Sequence, residues 1–262
     1  MAAFLRLRVA IGTAVEAWRN RKGFFGLYQL EKRLLPHIHT REGTFVELGA
    51  SDGLNQSNTA WLEANRGWRG ILIEPIPEVY EQCVRNRPLA TVVNCACVSD
   101  DYSEPTVEMV YAGLMSIVRG ARSSEETDEA WISLGEELQQ VTRYTCIVPA
   151  RTLTSVLDEH DVRRIDFLSL DVEGYEREVL QGFDVDRFRP RHVLVEESRP
   201  DGVGEYLTNH GYRKVAEVAR GRLTADVLYE RADSPRTGGF RRSLARWKSW
   251  RFSATRVDGG AG

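Results

Sequence analysis

The stretch IDFLSLDVEGYEREVLQG, residues 165–182, decides the fold. A largely apolar run ends on Asp171, Gly174 permits a sharp turn, and a helical pattern follows with Glu176 in its first turn. Strand, turn and helix in that order make half of a βαβ unit, and open sheets built from such units bind ligands beyond the carboxyl ends of their strands. Glu173 and Glu176 also suit the positive amino end of a helix, and for Glu176 that is the simpler reading. Asp171 is different, because it emerges at the carboxyl edge of a strand expected to lie beside the first strand of the sheet.

The same rhythm extends outward from this unit. Strands are expected over 44–49, 70–74, 90–98 and 192–197, with closing strands near 213–218 and 226–229. Helices are expected over 57–66, 77–87, 153–159, 175–181 and 202–210. Short apolar runs alternating with helical stretches are the signature of an α/β fold. The alternation fails between 102 and 144. There, possible strands over 107–111 and 144–148 flank a polar stretch carrying Glu125, Glu126, Asp128, Glu129, Glu136 and Glu137. Such an interruption lies on the surface as an insertion or lid. The chain therefore divides into a helical extension over 1–40, with helices near 4–19 and 27–37, an α/β domain over 41–230 with an insertion at about 102–144, and a tail over 231–262.

Composition sets the outer bounds. Of 262 residues, 42% are hydrophobic and 28% charged, which excludes a disordered chain and suits one large domain or two small ones. Only four cysteines occur, and Cys83, Cys95, Cys97 and Cys146 lack zinc spacing, so a reduced, cytoplasmic protein is expected. Arg6 and Arg8 precede an apolar run over 9–15. The run is short and Glu16, Arg19 and Arg21 follow, which favours an amphipathic helix over a signal peptide. No stretch approaches the roughly 18–20 apolar residues of a membrane span. A net charge of −3 argues against a general nucleic-acid binder. The charge is uneven: eight basic and two acidic residues give the last 32 positions +6, leaving −9 on the rest.

ELGASDG, residues 47–53, lies between the first strand and its helix, where a cofactor would bind. A dinucleotide fingerprint needs G-x-G-x-x-G, but after Gly49 the second glycine place holds Ser51 and the third Leu54, which disfavours NAD and FAD. S-adenosylmethionine has no phosphate and asks less of the loop: backbone amides and the short side chains of Asp52, Asn55 and Ser57 could hold its amino-acid end. Glu74, ending the second strand, can accept hydrogen bonds from ribose hydroxyls. Gly49, Gly53 and Glu74 each also suit a turn or strand end with no ligand; all three in order indicate a nucleotide-like cofactor.

With these motifs the sequence resembles the FkbM family of S-adenosylmethionine-dependent methyltransferases. The resemblance rests on FVELGASDG (45–53), ILIEP (71–75), NCACVSD (94–100) and the 165–182 stretch, and covers roughly 44–197. Two departures stand out: Glu47 where many members have Asp, and Ser169 in a place often held by Lys. The resemblance implies a class I methyltransferase-like Rossmann fold, with seven mostly parallel strands, the last antiparallel, and helices on both faces. It implies S-adenosylmethionine as cofactor, with Glu47, Gly49, Ser51, Asp52, Gly53, Asn55, Glu74, Asn94 and Asp171 as its binding residues. It also implies methyl transfer to a hydroxyl on a sugar, glycan or natural-product scaffold.

Such a transfer is an in-line displacement, so positioning of the acceptor oxygen supplies much of the acceleration. A protonated alcohol is a poor nucleophile and needs a base or a metal. His37, His39, His160, His192 and His210 all precede or open strands, which places them at the wrong edge of the sheet. Carboxylates therefore lead, with Asp171 as base or metal ligand, Glu173 as its catalytic partner and Glu196 behind it. A divalent metal could join these oxygens, but no spacing fixes its geometry. Two other readings stand beside this one: a catalytically silent member acting as a binding module, and a dinucleotide enzyme, which Ser51 and Leu54 oppose. In the tail, Phe240, Leu244 and Trp247 recur at helical spacing among cations, which fits either attachment to the inner membrane surface or packing on the domain.

Overall fold

Phe45, Val46, Glu47 and Leu48 are all buried in β1 (Thr44–Leu48), because this strand is central in a sheet covered on both faces. In the computed structural model, which describes residues 25–197, 202–220 and 224–233, β1 pairs in parallel with β2 (Arg69–Ile73) and β8 (Phe167–Leu170). The helix expected over 4–19 and the tail pattern over 240–252 lie outside the described residues. The full order is β10 (Tyr212–Arg220), β11 (Ala225–Arg231), β9 (His192–Glu197), β8, β1, β2 and β3 (Thr91–Val93). β11 points opposite to the other six strands of this sheet, pairing antiparallel with both β10 and β9. This is the expected seven-stranded arrangement with an antiparallel last strand.

Side-chain alternation divides the core. Val46 and Leu48 pack with Ile71, Leu168 and Leu170 on one face, against Val156 of α5 (Leu153–Glu159) and Val179 of α6 (Glu176–Gln181). Phe45, Leu72 and Phe167 point to the other face, onto Trp68, Leu62 of α2 (Ala60–Arg66) and Leu34 of α1 (Glu31–Leu34). Burying each such side chain stabilises the fold by roughly 1.5–3 kcal/mol, so the sheet's interior is what locates the loops at its edge. Between β2 and β3, α3 (Pro77–Asn86) begins with proline, whose missing N–H is harmless in a first turn.

Two expectations need correction. The strand expected over 90–98 is two strands, β3 and β4 (Ala96–Cys97), in different sheets. Asn94 lies between them, and its Nδ2 donates to the carbonyls of Glu74 and Pro75 at 2.9 and 2.8 Å, turning the chain. The helix expected over 27–37 is a 3-10 turn, Leu27–Gln29, followed by the single turn of α1. Within the insertion, the polar stretch forms α4 (Glu125–Gln139), capped reciprocally by Ser124 and Thr127. This helix sets Ile132 against Val110 and Ile117 of a second sheet, ordered β4, β7 (Tyr144–Arg151), β5 (Thr106–Tyr111) and β6 (Ile117–Val118). Two short helices complete the described chain, α7 (Val185–Phe188) and α8 (Val203–Asn209). None of the described helices is long and apolar enough to cross a membrane.

Candidate active site

A cavity of about 320 Å³ opens beyond the carboxyl ends of β1, β2 and β8. Its floor is the loop after β1, whose backbone turns through left-handed conformations at Gly49 (φ 72°), Ser51 (49°), Gly53 (80°) and Gln56 (60°). At Gly49 glycine is required twice over. Its φ is unfavourable for other residues, and a Cβ there would lie 1.9 Å from the carbonyl oxygen of Asp171. The loop is held by carboxylates. Glu74 accepts the Ser51 N–H at 2.8 Å through one oxygen and the Ile76 N–H at 2.9 Å through the other. Asp52 caps the amides of Leu54 and Asn55 at 2.9 and 2.6 Å.

Glu47 lines the cavity, yet its carboxylate is engaged by the protein. One oxygen accepts the Asn58 N–H at 2.7 Å, and the other accepts the hydroxyls of Ser57, at 3.0 Å, and Thr59. Hydrogen bonds to a charged group contribute about 1.5–3 kcal/mol each, enough to make Glu47 an organiser of the 57–59 segment. Burial raises its pKa, opposed by Arg87 nearby. Ser169, where the resemblance leads one to expect Lys, accepts the Asn58 side-chain amide at 3.0 Å.

The opposite end of the cavity is acidic. Asp171 follows β8, Glu196 sits in β9, and Asp226 pairs with Glu196 across the antiparallel β11 register. Glu173 is held at φ 60° ahead of Gly174 at 103°, a tight turn that would cost about 1–2 kcal/mol at the glutamate. Glu176 offsets this by folding back to accept the amides of Val172 and Gly174 at 3.0 and 3.1 Å. It is 1% exposed, and its role is therefore the shape of the turn as well as the helix end. Burial pushes Asp171 and Glu173 well up, with Glu196 the largest charged contributor to both. Burial also pushes Glu74, Glu176 and Asp226 up to about 7. From the insertion, Arg122 stacks over Trp131 at 3.6 Å and faces Glu173 at 3.9 Å. Asp171, Glu173 and Glu196 can each bring a carboxylate oxygen within 4.8 Å of the others, a donor set of the kind hard divalent cations use.

A family model for the FkbM methyltransferase domain matches residues 47–214, which spans both motif loops and every strand from β2 to β9. The chain belongs to the FkbM methyltransferase family. No curated protein sequence matches it. Among solved structures it is similar to the METTL16 MTase domain at 14% identity and TM-score 0.43, over 78% of this chain and 65% of that one. It is also similar to a TehB-like SAM-dependent methyltransferase from Corynebacterium glutamicum at 11% identity and TM-score 0.40, over 84% and 97% of the two chains. A ribosomal protein L11 methylase from Lactobacillus delbrueckii subsp. bulgaricus gives 8% identity and TM-score 0.39, over 78% of each chain.

In this FkbM chain the cavity brings together Glu47, Gly49, Ser51, Asp52, Asn55, Glu74, Asp171 and Glu173. Gly53 and Asn94 are not among its lining residues; Gly53 packs on Arg87 and Cys83, and Asn94 is spent on the turn after β2. None of the five histidines lines it. Sequence reasoning missed Asp226, which arrives at the amino end of its strand and reaches the site only because β11 is antiparallel. It also missed Leu27 and Leu30, which bring the amino-terminal segment to the cavity wall, and Gln139, which reaches it from the end of α4.

Proposed function

We propose that this chain transfers a methyl group from S-adenosylmethionine to a hydroxyl on a sugar, glycan or natural-product scaffold, in the cytoplasm. The observation that carries the reading is the single cavity running from Glu74, past the 49–58 loop, to Asp171 and Glu173. The residues fit the cofactor. Each Glu74 oxygen accepts one amide and keeps a lone pair for a ribose hydroxyl. Ser51, Asp52 and Asn55 offer polar groups where an amino-acid end would lie. When bound, S-adenosylmethionine supplies an electrophilic methyl group on a positively charged sulfonium.

The chain's own part is to orient the acceptor and take its proton. Asp171 stands where β8 meets the β1 loop, and burial raises its affinity for a proton, which strengthens its carboxylate as the acceptor of the hydroxyl proton. Glu173, Glu196 and Asp226 line the same end and can accept further hydrogen bonds from a polyhydroxylated acceptor. Calorimetry with S-adenosylmethionine, followed by mass spectrometry across a panel of glycosides and hydroxylated macrolides, tests the reading. Binding with methylated product is the expected result. Binding without product across the panel would favour the silent binding module, and tight NAD binding in place of S-adenosylmethionine would overturn both.

A further inference from the structure

Arg87 follows the last turn of α3 and is 2% exposed. Its guanidinium donates to the Gly53 carbonyl at 2.9 Å, to the Ser57 hydroxyl at 3.1 Å and to the Thr59 hydroxyl at 3.1 Å. On its far side it pairs with Glu63 of α2 at 3.1 Å, and it lies over the Phe45 ring at 5.3 Å. Neighbouring Asn86 donates its side-chain amide to the Asp52 carbonyl at 2.8 Å.

The pattern of these contacts matters more than their number. Ser51, Asp52, Asn55, Gln56 and Asn58 line the cavity, whereas Gly53, Ser57, Thr59 and Arg87 do not. The positions gripped from behind interleave with the positions that face the ligand. Two non-glycine residues of this loop, Ser51 and Gln56, hold left-handed backbone, and such conformations persist only where the surroundings over-determine them. Arg87 supplies a rigid fork of donors able to fix three loop groups at once, which a lysine cannot reproduce.

We infer that Arg87 is a positioning residue for the cofactor: anchored to α2 and α3, its buried guanidinium sets the shape in which the 51–58 loop receives the amino-acid end of S-adenosylmethionine. The ligand rests on the function proposed above; the hold on the loop does not. Glu47 completes the same frame from β1, its carboxylate 4.0 Å from the guanidinium and bonded to the same two hydroxyls.

The test uses the full chain and the variants Arg87→Lys, Arg87→Met and Thr59→Val, read by amide hydrogen exchange without ligand and by calorimetry with S-adenosylmethionine. The expected result is at least tenfold faster exchange confined to residues 51–59, with β1 and β8 amides unchanged. The Kd is expected to weaken at least tenfold in Arg87→Met and several-fold in Arg87→Lys and Thr59→Val, although none of these positions lines the cavity. Wild-type exchange over the loop in Arg87→Lys and Thr59→Val would overturn the inference. So would deprotection spread across the whole sheet, which would make Arg87 a residue of the fold alone. If Arg87→Met does not fold, the two milder variants decide. A wild-type chain that fails to bind S-adenosylmethionine would overturn the cofactor assignment, while the exchange pattern would still decide whether Arg87 holds the loop.

Discussion

A Cβ on Gly49 would lie 1.9 Å from the carbonyl oxygen of Asp171, so the loop after β1 and the loop after β8 meet backbone to backbone. This contact joins the proposed cofactor end of the cavity to the end that carries the candidate base. Gly49→Ala must both strain a φ of 72° and push the two loops apart. The expected loss is more than about 2 kcal/mol of stability, together with loss of S-adenosylmethionine binding. Urea denaturation and calorimetry measure the two effects; a variant with wild-type midpoint and affinity would contradict the assigned geometry.

Stability should fall as pH rises through neutrality. Burial pushes Glu74, Glu176 and Asp226 up to about 7. A carboxyl raised in the folded state stabilises it fully below its unfolded value near 4, and that contribution is lost as pH rises through the folded value. His192 acts in the other direction: burial and then Arg191 lower it to about 4, so its contribution is lost as pH falls from about 6.5 through 4. Three carboxyls outweigh one imidazole, at on the order of 1 kcal/mol per group between pH 6 and 8. Ligand-free protein should therefore unfold at higher urea at pH 6 than at pH 8, and Glu74→Gln should flatten the difference. The reverse order would show that these carboxyls are not desolvated.

Part of the fold is legible in the sequence. The apolar runs that end on Glu74 and Asp171 read as strands buried on both faces, and the strand that ends at Asp171 does lie beside β1, whereas the seven-strand arrangement is what the FkbM resemblance implies. The break within 90–98 was not legible, since apolar periodicity does not register that Asn94 spends its amide on two carbonyls and sends the chain into another sheet. Asp226 was hidden for a related reason. At the start of a strand it reads as belonging to the wrong edge, and only antiparallel pairing with Glu196 reverses that. Arg87 reads in sequence as a cation near a helix end, and its contacts with residues 28–34 positions away exist only after folding.

Removing the charge at Asp171 should separate binding from turnover. Asp171→Asn keeps the side-chain volume and leaves the backbone carbonyl beside Gly49 in place, so the cofactor end of the cavity is expected to survive. Proton removal from an acceptor hydroxyl would be lost, a contribution of roughly 10²–10⁴-fold. Release of S-adenosylhomocysteine with an active acceptor should fall by at least 10²-fold, while the S-adenosylmethionine Kd changes by less than about tenfold. Unchanged turnover would remove Asp171 from the chemistry and turn attention to Glu173.

The charge of the acceptor follows from the same end of the cavity. Asp171, Glu173, Glu196 and Asp226 line it, and Arg122, at 3.9 Å from Glu173, is the cation paired there among the described residues. A single like charge at about 8 Å costs roughly 2 kcal/mol at an effective dielectric near 20, which corresponds to about thirtyfold in affinity. A neutral glycoside should therefore be methylated at least tenfold more efficiently than the matching uronic acid or sugar phosphate. Because burial pushes Asp226 up to about 7, the gap should widen from pH 6.5 to pH 8.5 as that carboxyl ionises. If a divalent cation occupies Asp171, Glu173 and Glu196, added Mg²⁺ should narrow the gap and a chelator restore it. Equal rates on neutral and anionic acceptors at every pH, without added metal, would mean that the hydroxyl is presented away from the acidic wall.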